Sequence, residues 1–201
     1  MAISTYGELK TAVASWLARS DLGAVIPDFV TLAEEDIRND VRVQAMESLV
    51  TGTLTGSTLD HPSDFIFARR LVVGSKRYEY RTPEAFQDAQ ASRNTTGLDL
   101  YTSIGQAFHL LNANDGDSYS LIYTAGFTAL AADTDTNWLL TNAPSVYLFA
   151  ACRHGAMYLK DDNELARFEG LYAAAVARVN ARESRAAVSG SPLQQIPQRS
   201  A

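Results

Sequence analysis

The sequence predicts an α+β fold that is mainly α: an antiparallel helical bundle, an inserted small β-rich module, and an extended C-terminal tail. Three observations carry this. Asn137 to Arg185 reads as two apolar-striped helices joined by the acidic turn Lys160-Asp161-Asp162-Asn163. Residues 5–47 hold two further stripes at helical spacing. Between Leu49 and Phe127 the texture changes to Thr, Gly, Tyr and short apolar runs, the composition of strands and tight turns. The expected division is 1–48 with 137–185 as the bundle, 49–136 as the module and its linker, and 186–201 as a flexible tail.

Thr5 and Glu8 have capping-box spacing, and Leu9, Val13, Trp16 and Leu17 make one face of a helix from Thr5 to Ala18. Pro27 suits a first-turn position and Asp28 favours the positive end of the helix dipole, so a second helix starts at Ile26. Phe29, Ala33, Ile37 and Val41 recur every fourth residue and carry it to Met46 or Glu47. Val50–Leu54 and Arg69–Val73 read as strands, and Gly74-Ser75 turns the second into Arg77–Tyr80. Thr82-Pro83-Glu84 opens a short helix to Ser92. Tyr101–Ile104 and Ala107–Leu111 flank Gly105-Gln106 as a second hairpin, and Asn112–Asp117 is a turn cluster. Tyr119–Tyr123 alternates as a strand should. Pro144 then starts a helix through Phe149, Arg153 and Met157, and Leu165, Phe168, Tyr172, Val176 and Val179 stripe the last one. A connector that short makes these two helices antiparallel neighbours.

The totals narrow the function classes. The chain has 201 residues, 46% hydrophobic and 20% charged, which suits a folded domain. A formal net charge of −6 disfavours a general electrostatic grip on nucleic acid. Cys152 is the single cysteine, so no internal disulfide and no Cys-rich zinc site can form, and an intracellular origin is expected. The start Met1-Ala2-Ile3-Ser4-Thr5 has no signal-peptide pattern, and no apolar run approaches the ~20 residues of a membrane span.

Candidate chemistry is sparse. Cys152 and His154 are two apart on a helix and point to different faces, which fits a core thiol and a polar helix residue. His61 and Ser63 sit in Asp60-His61-Pro62-Ser63-Asp64, which reads as a turn. His109 alternates with apolar strand neighbours and is expected to face solvent. Asp133-Thr134-Asp135-Thr136-Asn137 starts like a calcium loop, but Trp138 stands where glycine belongs and Pro144 where the closing glutamate belongs, so capping and turn roles are expected. Glu34-Glu35-Asp36 diverge around their helix, which favours a solvated face over paired catalytic carboxylates. Gly52 and Gly56 lack the lysine of a phosphate loop. No cofactor and no metal is expected. Two features remain: Arg178, Arg182, Arg185 and Arg199 against Glu183, and the tail itself, which carries Val188, Pro192, Leu193, Ile196, Pro197 and Arg199. These six are the expected partner-binding residues, on a segment that orders as it binds.

The chain resembles the head-to-tail adaptor proteins of tailed bacteriophages, the group that includes tail tubular protein A. The matching residues are Thr5–Lys10, Trp16–Leu22, Ile26–Val30, Leu32–Glu34, Ile37–Val43, Pro62–Phe65, Tyr123–Ala125, Thr136–Leu140, Tyr147–Ala151 and Ser189–Leu193. Asn112-Ala113 departs from the pattern, where proline is expected. The resemblance implies a non-enzymatic virion protein assembled in the host cytoplasm and placed at the head-tail junction. It implies a ring of identical subunits, a dodecamer, under the portal. The tail would reach the portal, the next tail component (nozzle or tail-tube/stopper protein) would bind opposite, and double-stranded DNA would pass without sequence-specific binding. No membrane partner is implied. The alternatives are a monomeric binding module and a cell-wall hydrolase using Glu34 or Asp36 with His61.

Overall fold

The computed structural model describes residues 3–92 and 95–188. The chain forms two compact units, one of Met1–Gln44 and Phe127–Ala201, the other of Ala45–Gly126.

In the helical unit the elements are α1 (Tyr6–Trp16), α2 (Ile26–Asp40), α4 (Trp138–Asn142), α5 (Pro144–Leu159) and α6 (Asp162–Val188). The capping box at α1 is formed: Glu8 N–H donates to Thr5 Oγ1, and the Glu8 carboxylate accepts from Thr5 N–H. α5 is the central helix. It packs against α1, α2, α4 and α6, and it is buried nearly all round, through Val146, Tyr147, Leu148, Ala150, Ala151, Cys152 and Ala156. Gly155 keeps that close packing possible, since a β-carbon there would collide with the Leu17 side chain. α5 ends on Lys160 in the left-handed region (φ 58°), and Asp161 accepts from Glu164 N–H at 3.1 Å to start α6.

α2 stops at Asp40, short of the Met46 or Glu47 expected from its stripe. Asn180 on α6 explains the stop. Its Nδ2 donates to the Asp40 carbonyl at 3.0 Å and its Oδ1 accepts from Arg42 N–H at 2.9 Å. These side-chain bonds satisfy backbone groups that another helical turn would have used. Val41 is already extended, and only the 3-10 turn Gln44–Met46 follows.

The other unit holds β1 (Glu47–Thr53), β2 (Thr58–Asp60), β3 (Phe65–Val73), β4 (Lys76–Tyr80), α3 (Pro83–Ala91), β5 (Leu100–Ile104), β6 (Ala107–Leu110) and β7 (Ser118–Ala125). Its strands form one seven-stranded sheet in the order β1-β7-β3-β4-β5-β6-β2. All pairs are antiparallel except β4 with β5, which run parallel through the α3 crossover. The core of the unit includes Leu54, Leu71, Tyr78, Tyr101, Phe108, Leu121 and Tyr123. Phe86 of α3 packs on Leu100 and Leu111.

The expected fold class is therefore corrected. This is a mixed α/β protein whose seven strands curl into a half-barrel, and it is not a helical bundle carrying a small β module. The cause is non-local pairing. β7 fills the gap between β1 and β3 from far along the chain. β2 (Thr58–Asp60) and the first half of β3 (from Phe65) flank the turn around His61, outside the strands expected at Val50–Leu54 and Arg69–Val73. α6 continues past Arg185 to Val188, so the first residues assigned to the extended tail are helical, and 189–201 lie outside the described residues.

Candidate functional site

The acidic residues of α2 divide: Asp28, Glu35 and Asp40 are exposed, while Glu34 and Asp36 turn partly inward. Asp36 binds Arg153 and, at 2.6 Å, His154 Nε2, both on α5. Arg153 also reaches Glu169 of α6 at 3.0 Å, and its guanidinium lies 4.9 Å from the centre of the Tyr172 ring. Tyr172 donates to Asp40 at 2.9 Å, and burial with that carboxylate raises its phenol above the ordinary range. Six polar side chains thus tie α2, α5 and α6 together. The solvated face expected for Glu34-Glu35-Asp36 holds for Glu35 alone, while Glu34 and Asp36 are half-buried.

Glu34 turns elsewhere. It accepts from Leu130 N–H at 2.9 Å and from the Tyr147 hydroxyl. Burial raises its carboxyl above the usual Glu range, and those bonds oppose the shift. Tyr147 also receives Asn137 Nδ2 at 2.7 Å, and burial pushes its phenol up. Glu34 and Asp36 therefore serve different neighbours. His61 belongs to the other unit, beside Ser103 Oγ (3.2 Å) and between the rings of Phe65 and Phe108 at 4.3 and 4.2 Å. Burial lowers its pKa. Each of the three supposed hydrolytic residues has partners within its own unit.

The remaining candidates also have local roles. Asp135 accepts from Ala131 and Ala132 N–H, and Asn137 caps α4 through Leu140 N–H. Asp133 pairs with Lys10 at 2.5 Å, so this stretch acts in turns and caps. Burial pushes the Cys152 thiol up to about 12. His109 is half-buried in β6 instead of facing solvent freely. Among the described residues no group of His, Cys, Asp and Glu is placed to hold a metal ion, and no helix is long and apolar enough to cross a membrane. The partner-binding residues Pro192, Leu193, Ile196, Pro197 and Arg199 lie outside the described residues, and Val188 is the last residue of α6.

Two surface features stand out. In the helical unit Trp16, Leu32, Met157 and Tyr158 are 45–59% exposed. Tyr158 packs on Phe29 at 5.5 Å, one turn from Leu32. In the sheet unit a groove of about 610 Å³ opens between β3 and β4, floored by Tyr101 and Phe108 and edged by Arg69, Arg70 and Arg77. The paired cations Arg69-Arg70 and Lys76-Arg77 around the Gly74 turn are the sequence signal for it. That they edge a groove depends on where the strands separate.

A comparison with curated proteins finds no match. The family model for the SU10 adaptor protein matches residues 4–195. That span takes in both units and nearly the whole sequence, so this chain is a phage virion component and belongs to the SU10 adaptor protein family of head-to-tail adaptors.

Proposed function

We propose that this protein is a structural, non-enzymatic connector. It forms a dodecameric ring beneath the portal, joins head to tail, and lets double-stranded DNA pass through its centre. The observation that carries this reading is the family match over residues 4–195. Two further features support it. Four large apolar side chains on the helical unit, Trp16, Leu32, Met157 and Tyr158, are surfaces that a neighbouring subunit would bury. The net charge of −6 suits a conduit that must not hold DNA. The helical unit is the ring scaffold, and the sheet unit faces outward or toward the next tail component, a nozzle or tail-tube/stopper protein. The C-terminal residues Val188, Pro192, Leu193, Ile196, Pro197 and Arg199 dock on the portal, trading chain entropy for burial of Leu193 and Ile196.

The test is negative-stain imaging of the protein mixed with its portal, with mass measurement of the protein alone at rising concentration. A ring seated on the portal is expected. A protein that stays monomeric with the portal present is a binding module, and the ring reading fails. Deleting Val188–Ala201 should leave the circular dichroism unchanged and abolish docking; normal particle assembly by the truncated protein would exclude the tail as the portal contact.

A further inference from the structure

The groove in the sheet unit is a split in the hydrogen-bonded ladder. β3 and β4 pair at Val73↔Lys76, Val72↔Arg77 and Leu71↔Tyr78, and their pairing ends there. Beyond that point β4 turns to β5: Glu79 and Arg81 N–H donate to the Asp99 and Tyr101 carbonyls at 2.9 Å each. By strand alternation the Tyr80 N–H and C=O face the opposite way, toward β3. On the β3 side the register with β7 slips between Ala68↔Tyr123 and Arg70↔Ile122, which leaves Arg69 as the inserted residue of a bulge. Gly74 N–H donates to Ser118 of β7, so alternate residues back through Val72 face β7, while Leu71 and Val73 face β4. Two strand edges therefore border one opening, and unpaired backbone N–H and C=O groups at exposed edges such as these are a template for a further strand.

The two faces of the opening differ in chemistry. Toward the core its floor is Tyr101 and Phe108, 6% and 1% exposed. On the opposite face, Arg77 stands across from Val72, and Arg70 is two residues along the same strand. Arg69 pairs with Glu47 at 2.7 Å and Lys76 with Asp99 at 3.1 Å. Arg70 and Arg77 have no carboxylate in ion-pair range among the described residues. Glu79 also lines the opening but pairs with Arg81 at 3.5 Å, so on a chain of net charge −6 the two exposed arginines leave the opening locally positive.

We propose that this opening takes an extended acidic segment of a partner protein as an added strand. Its backbone bonds to the edges at Arg69 and Tyr80, its apolar side chains alternate onto Tyr101 and Phe108, and its carboxylates alternate onto Arg70 and Arg77. Charge excludes the chain's own residues 189–201, which carry Arg199 and no Asp or Glu. The site is complete in one subunit, so it stands or falls separately from ring formation.

The test uses the full chain with short peptides that alternate Glu with Val or Phe, the same peptides with Lys for Glu, and a short DNA duplex. Amide hydrogen exchange is read by NMR. The Glu peptides should slow exchange at Arg69 and Tyr80 by about tenfold or more, and Arg70→Glu with Arg77→Glu should weaken binding at least about tenfold, a loss of ~1.4 kcal/mol or more. If that pair disturbs the circular dichroism, Arg70→Gln with Arg77→Gln gives the milder comparison, with a smaller loss in the same direction. Equal binding of the Lys peptides, displacement by the duplex at lower concentration, no binding at millimolar peptide, or slowing confined to other strands would each overturn the proposal.

Discussion

Replacing Arg153 by Met tests whether the polar knot among α2, α5 and α6 holds the helical unit together. The Arg153 side chain is 13% exposed, Asp36 29% and Glu169 57%. The bond to Asp36 is charge-assisted and partly shielded, worth about 1.5–3 kcal/mol. The Glu169 pair is open to solvent and worth at most ~0.5 kcal/mol. The Tyr172 stack adds ~0.5–1 kcal/mol. Against these, the Arg153 Nε is buried without a hydrogen-bond partner, which costs about 1 kcal/mol. Methionine keeps the contacts of the aliphatic stem. The net loss should be about 2 kcal/mol. Trp16 and Trp138 both lie in the helical unit, so tryptophan fluorescence during urea unfolding reads that unit. With a slope of ~1.5 kcal/mol per molar urea, the midpoint should fall by roughly 1.3 M. Glu169→Gln should cost less than about 0.5 kcal/mol. A midpoint for Arg153→Met within ~0.3 M of the parent, or a larger loss from Glu169→Gln, would refute the reasoning that shielding sets the strength of this pair.

Three further outcomes follow from other parts of the molecule. Leu121 is fully buried on β7, opposite Val50 of β1 and Leu71 of β3, and Leu121→Ala should cost about 2–5 kcal/mol, read as loss of the sheet signal at lower urea in far-ultraviolet circular dichroism. Glu34 has its carboxyl raised by burial, so the folded chain holds that proton more tightly than the unfolded chain. Its contribution to stability is therefore full below the ordinary Glu range and is lost as pH rises through the raised value. Glu34→Gln removes that loss, and melting curves should show the variant gaining on the parent as pH rises across this window; parallel curves would contradict the assignment. Cys152 is buried, with its thiol pushed up to about 12, so a disulfide reagent at mildly alkaline pH should modify it only once urea unfolds the helical unit.

Local signals in this chain agree with the structure where the physics is local. Thr5 with Glu8, Pro27, Thr82-Pro83 and Pro144 mark helix starts because a cap or a missing N–H acts within one turn. Turn residues with positive φ, Gly74 and Gly105, place two hairpins. The stop of α2 was not legible, because Asn180 imposes it from 138 residues away at Arg42. The inward use of Asp36 was not legible either, since Arg153 and His154 meet it only after α5 packs on α2.

The amino-acid sequence by itself determined where five of the six helices among the described residues begin (α4 at Trp138 is the exception), which residues are apolar on one side, and the family resemblance, because each rests on neighbouring residues or on their order. Tertiary structure alone decided the seven-stranded sheet, the parallel β4–β5 pair and the opening between β3 and β4. A strand makes its ladder hydrogen bonds to its neighbours, and nothing within a strand names the distant segment that will provide them.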